Sequence, residues 1–263
     1  MDDIYEIFGY LPIDDVEISD YVNPLLDSAS VTLEKEQYQF SYFAVHLIFM
    51  TYIYSTVWKI SQFHSDKYEH SLLFARPHND CDVDFKKMNS IFDYCYLPEK
   101  DIFEFFALIG LDKGYIKSTK QLINYRNEMA HATGKIQISS SDKYDDAIRE
   151  ILNVLAKINE CFSLTIREWY NEELLHYAKN ALDEQYSSPL DYINNLFVSE
   201  LSFSQRELMV CRDFGLNKLK SRDESGLSRD EIRRIVEFHE SVKEKYADVS
   251  GEEYIRNNET AVA

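Results

Sequence analysis

Between Tyr38 and Trp58 the chain reads YQFSYFAVHLIFMTYIYSTVW, 21 positions without a single Asp, Glu, Lys or Arg. About 20 consecutive apolar residues suffice to cross a bilayer, so such a stretch belongs either in lipid or in a protein interior. Tyr38, Tyr42, Tyr52 and Tyr54, with Gln39, Ser41, His46 and Ser55, hold its mean hydropathy below that of an ordinary spanning helix. Lys35 and Lys59 flank it one on each side, so no excess of positive charge sets an orientation. A helix that is apolar nearly all round is the central helix of a bundle, and that is the reading adopted, with no membrane partner.

Turn chemistry points the same way. The chain of 263 residues has only 7 Gly and 5 Pro, whereas sandwiches and barrels need many turns of that kind. Hydrophobic residues make up 45%, enough for a sizeable core. The expected fold class is all-α. Past Ser141, the apolar positions Ile148, Ile151, Leu152, Leu155, Ile158, Phe162 and Ile166 recur at three- and four-residue steps, which predicts one long helix over 142–183.

The remaining punctuation divides the chain. Residues 1–31, with Pro12 and Pro24, read as an irregular or partly helical N-terminal wrap. Thr32 followed by Leu-Glu-Lys-Glu resembles an N-cap, so the aromatic helix is expected from there to about Gln62. The polar stretch 64–84 reads as a loop, with a short helix at 85–96 and another from Pro98 to Gly110 or Gly114. Ser118-Thr-Lys-Gln121 reads as a capping box for the next helix, with Gly134 as its stop. Ser187-Ser188-Pro189 marks a boundary, leaving a helical bundle over 32–186 and a C-terminal helical accessory region over 187–263. Within that region, helices are expected near 189–201, 203–219 and 228–246, the last behind a capping box at Ser228–Glu231.

Charge narrows the partners. The formal net charge is −18 and the pI about 4.8, which disfavours nonspecific attachment to nucleic acid or anionic membrane. Any RNA-binding surface must therefore be local. Cys81, Cys95, Cys161 and Cys211 include no CxxC pair, and the opening MDDIYEIFGY lacks a basic n-region. Thiols in a reducing cytoplasm are the expectation.

One segment meets the local requirement. KSTKQLINYRNEMAHATGK, residues 117–135, sets Lys117, Lys120, Arg126 and Lys135 against the single acid Glu128. Within it, Asn127 and His131 fall about 40° apart on a helical wheel, with Arg126 roughly 100–140° round from them. Arg supplies a permanent positive fork for phosphate, Asn an orienting amide, and His a proton carrier near neutral pH. These are the needs of metal-free phosphodiester cleavage, in which a base deprotonates a ribose 2′-OH and a cation stabilises the phosphorane.

Arg126-Asn-Glu-Met-Ala-His131 resembles the Arg-polar-x-x-x-His signature of the HEPN superfamily. The resemblance rests on those six residues and, by helix order, extends over about 32–185. It implies a compact HEPN-like helical bundle, often a homodimer. It also implies a metal-independent endoribonuclease of toxin–antitoxin, abortive-infection or antiviral defence type, held in check by an antitoxin or other regulatory protein. On that basis Arg126, Asn127 and His131 are the catalytic candidates, Lys117, Lys120 and Lys135 the RNA-binding ones, and no cofactor or metal is expected. The nucleotidyltransferase-paired branch carries a Tyr two positions after the His. Thr133 stands there instead, so tyrosine modification at that site is not expected.

Other clusters carry less. His64, His70, His78 and Cys81 with Asp80, Asp82 and Asp84 contain one H-x-x-C step but no second half of a zinc knuckle, so they read as a polar loop. His46 reads as a core histidine on a helix that can face the motif. Residues 205–234 carry eight Lys/Arg against six Asp/Glu, too small an excess for a DNA reader, and are expected to guide substrate or dock a partner. No glycine-rich phosphate loop, GxSxG, HExxH or EF-hand pattern is present. The competing reading is a non-catalytic helical interaction or adaptor protein whose acidic surface meets a basic partner.

Overall fold

The computed structural model describes residues 2–78, 83–131, 134–180, 186–218 and 226–252. The chain is all-α, with no strand among the described residues. In order, the helices are α1 (Asp2–Glu6), α2 (Val16–Glu34), α3 (Tyr38–Phe63), α4 (Ser65–Leu72), α5 (Glu99–Ile102), α6 (Lys113–Ala130), α7 (Ser141–Lys179), α8 (Pro189–Ile193), α9 (Gln205–Arg212) and α10 (Arg229–Ser250). Tight 3₁₀ turns occupy Ile7–Tyr10, Ile91–Tyr96, Phe103–Ile109 and Leu216–Lys218, and a π turn covers Asn194–Glu200.

Several boundaries differ from expectation, each for a local reason. Thr32 does not open the aromatic helix. It lies inside α2, where its hydroxyl donates to the Ser28 and Ala29 carbonyls, and α2 is capped instead by Asp15, whose carboxylate accepts from the Ile18 N–H at 3.0 Å. The break before α3 is made by Glu36, held at a left-handed φ of 56°. The stretch after His64 is not a loop throughout, because α4 fills Ser65–Leu72. Ser118 is not the cap of the motif helix either. Asp112 takes that place, accepting from the Gly114 and Tyr115 N–H groups at 2.8 and 3.1 Å, while the Ser118 hydroxyl donates back to the Tyr115 carbonyl. Gly110, at φ 81°, ends the preceding 3₁₀ turn as glycine at a left-handed C-terminus should. The capping box at Ser228 is present, with the Glu231 N–H donating to Ser228 Oγ and the Ser228 N–H to Glu231 Oε2.

The described chain divides into two compact units, 1–162 and 163–263. In the first, α3 is the axis. It is long and apolar enough to cross a membrane by length and composition, and 83% of its most apolar window is buried inside the protein. Its partners can be ordered from paired positions. Ser41 meets Tyr144 of α7, Tyr52 donates to the Leu155 carbonyl at 3.5 Å, and Phe63 packs edge-on against Phe162. Position numbers rise together, so α3 and α7 run parallel. Against α6 they run in opposite senses, Gln39 with Met129 and Tyr42 with Tyr125, so that pair is antiparallel. The Ser41 hydroxyl donates to the Ala29 carbonyl of α2 at 2.9 Å and so receives the Tyr144 proton. Full burial of Ile48, Phe49, Ile53, Val57 and Ile60, at about 1.5–3 kcal/mol each, explains how a helix whose one charged residue is Lys59 can be the axis of this unit.

The second unit closes around aromatic rings. Tyr170 is fully buried against Phe197, Phe214, Phe238 and His239, and its hydroxyl shares a 2.9 Å hydrogen bond with His239 Nδ1. Ile235, Phe238, Val242 and Tyr246 form the buried stripe of α10 at helical spacing.

Candidate active site

The site is built on the C-terminal end of α6. Ile116, Thr119, Leu122, Ile123 and Met129 are its buried face, and they fix the rotation of the helix. That rotation leaves Arg126 and Asn127 half-buried at its edge. The helix stops at Ala130, four residues before the candidate stop at 134. His131 is its C-cap, with φ −84° and ψ 146°, exposed, its N–H donating to the Asn127 carbonyl at 3.3 Å. An extended ψ takes His131 off the helical wheel, so the 40° phasing with Asn127 does not hold. The imidazole stands beyond the helix end rather than beside the amide on one face.

The segment carrying His131 is held from below by α3. Gln39, 7% exposed, accepts the Gln137 N–H at 2.9 Å through Oε1 and donates to the Met129 carbonyl at 3.5 Å through Nε2. One side chain thus ties both shoulders of the motif's end to the core helix.

Arg126 has a partner that sequence reasoning missed. Its Nη2 donates to Glu99 Oε2, both side chains about one quarter exposed. Its Nε is buried and without a hydrogen-bond partner. Behind it, Tyr42 Oη and both ring nitrogens of His46 are likewise buried and unpartnered, the two rings 6.1 Å apart. Burial, reinforced by the nearby Arg126 charge, lowers His46 to about 3, so it is neutral at physiological pH. Burial also pushes the Tyr42 hydroxyl up, with Glu150 adding and Arg126 opposing. A polar seam therefore lies within electrostatic reach of the guanidinium, and unpaired buried polar groups of this kind are rare enough to need a reason. No residue spacing marked Glu99, which reads in sequence only as an acid in a helix's first turn.

Beside this pair a cavity of about 800 Å³ opens. Asn127 and Ile123 of α6, Leu47 and Tyr54 of α3, and Phe92 and Glu99 are among its walls. Asn127 lines it, with no hydrogen-bond partner to its side-chain amide among the described residues. Glu99 is shared between cavity and ion pair. Arg126 and His131 do not line the cavity, so the motif divides into an amide at the cavity wall, a guanidinium behind the shared carboxylate, and an imidazole in solvent.

The basic candidates divide as well. Lys117 and Lys135 are exposed, whereas Lys120 is ion-paired with Glu104. Among the described residues no group of three or more His, Cys, Asp or Glu is placed to hold a metal ion. Asp80, Cys81 and Asp82 lie outside the described residues, as do Thr133 and the junction at 219–225. Compared with models of known protein families, with curated proteins and with solved structures, the chain matches none.

Proposed function

We propose that this chain is a metal-independent endoribonuclease of HEPN type, working as a homodimer in a toxin or antiviral defence setting. The observation that carries the reading is the end of α6, where the unpartnered Asn127 amide opens on a cavity, Arg126 stands beside it, and His131 is presented to solvent directly past the helix. In the reaction, the 2′-oxygen forms a bond to phosphorus as the P–O5′ bond breaks. His131 takes the 2′-OH proton, and the leaving 5′-oxygen is protonated by the second chain's copy of the same motif. The products are a 2′,3′-cyclic phosphate and a 5′-OH. Arg126 offsets charge on the phosphorane once it exchanges Glu99 for phosphate, and Asn127 orients the nucleotide.

The Arg126–Glu99 pair favours a second reading, because a neutralised guanidinium suits a non-catalytic interaction module equally well. Cleavage of a mixed cellular RNA in EDTA separates them. The wild type should cut, His131→Ala should lose about 10²–10⁴-fold, and Arg126→Ala about 10²–10³-fold. Mixing the two inactive chains should restore part of the activity if the site is shared. Cutting that neither substitution changes would falsify the nuclease, and loss of cutting on chelation would remove the metal-free route.

A further inference from the structure

We infer that the cavity beside α6 is a nucleobase pocket, which holds the base of a nucleotide next to the cut; this deepens the nuclease reading above and rests on it for the identity of the substrate. At about 800 Å³ it falls in the size range of small-molecule sites, which are mostly apolar with a few placed polar groups. Its walls have that character. Tyr21 and Phe92 meet edge-on with centroids 4.9 Å apart, and with Tyr54 they supply ring faces of the kind bases stack on. Two polar side chains of its lining have no hydrogen-bond partner among the described residues: the Asn127 amide, which both donates and accepts, and the Tyr54 hydroxyl, on a residue 8% exposed.

Charge decides which part of a nucleotide enters. Glu99 and Asp101 are both in the wall, and their carboxylates repel a phosphate while accepting the ring and amino N–H groups of a base. The phosphate therefore stays outside. Lys100, exposed at the same wall, and Arg126, adjacent in sequence to Asn127, are the cations that can meet it there. A flat, neutral, hydrogen-bonding ring with its anion outside is the ligand that fits all of these features.

Cys95 provides the readout, because its exposed thiol stands in the cavity wall. The full chain is alkylated with iodoacetamide, and modification of Cys95 is followed by mass spectrometry with each of the four nucleoside 5′-monophosphates. At least one should slow Cys95 alkylation about fivefold or more and saturably, with Cys161 unchanged as the internal control. Ribose 5-phosphate, which lacks a base, should not. Leu47→Trp, placed at a 40% exposed wall position, should abolish the protection by filling the cavity. Absence of protection, or equal protection by ribose 5-phosphate, overturns the pocket. Protection by nucleotides in a chain that cuts no RNA upholds the pocket and sinks the nuclease. RNA cutting whose base preference is the same in Leu47→Trp and wild type upholds the nuclease and sinks the pocket.

Discussion

Glu99 is the residue on which the candidate site turns. Its carboxylate occupies the guanidinium that phosphate needs, so substrate must displace it or share it. Glu99→Gln keeps the shape and removes the charge. In a ribonuclease assay at low substrate this variant should raise kcat/KM by about three- to tenfold, since a partly exposed pair of this kind is worth on the order of 1 kcal/mol. A fall instead of a rise would mean that Glu99 serves the substrate, by positioning Arg126 or by accepting from the base, rather than restraining the guanidinium. Residues of this sort were the least visible in sequence. Arg126, Asn127 and His131 could be picked out because their types sit within six positions. Glu99 is 27 positions from Arg126, and Gln39 is 98 positions from Gln137, and nothing local records either meeting. The phasing of His131 failed for a related reason: the wheel assumes helix to Gly134, and the helix ends at Ala130.

At the level of elements, α6 is the part whose integrity the site needs most. It is short of buried apolar residues on its outer face and starts from a single strong cap, Asp112, which serves two N–H groups. Asp112→Ala should cost about 1 kcal/mol, within the usual range for a lost N-cap, measured as a shift in the urea midpoint with an unchanged slope. An effect near zero would show that the packed face alone holds the helix. The long helices were legible because their period is long and repeated: α7 and α10 follow their apolar spacing, and α3 its 21 successive positions without a charge. The cap at Ser228, with its reciprocal pair to Glu231, was legible, the like pair at Ser204 and Glu207 was passed over, and Thr32 and Ser118 were misread. There the hydroxyls bond back into helices that had already begun, since a Ser or Thr hydroxyl serves a helix interior as well as its start.

For the molecule as a whole, His46 ties stability to pH. The folded protein holds it neutral, with its value lowered to about 3 from an ordinary 6.5, by burial first and by Arg126 second. Between those values the unfolded chain binds a proton that the folded chain does not, so stability is full above about pH 6.5 and falls as pH drops towards 3. The slope from this group approaches about 1.4 kcal/mol per pH unit. Between pH 7 and pH 4 the urea midpoint of wild type should fall relative to that of His46→Leu, because the leucine has no proton to take up. Parallel profiles would show that His46 gains a proton without unfolding. The same burial explains why all-α architecture was readable from composition, with few turn residues and one uncharged stretch, while the seam of Tyr42, His46 and Arg126 was not. That seam depends on which faces of α3 and α6 meet, which only the packed structure decides.

The hold that Gln39 has on both shoulders of the motif has a genetic consequence. Position 39 is 90 residues upstream of Met129 and lies in a stretch that looks like plain core, so damage there would be scored as a folding defect. Yet its amide holds backbone groups of Met129 and Gln137, on either side of His131. Inactivating changes should therefore map to two distant codons, and second-site changes that revive a slack 39 should be sought around 137, where the other end of the tether is fastened.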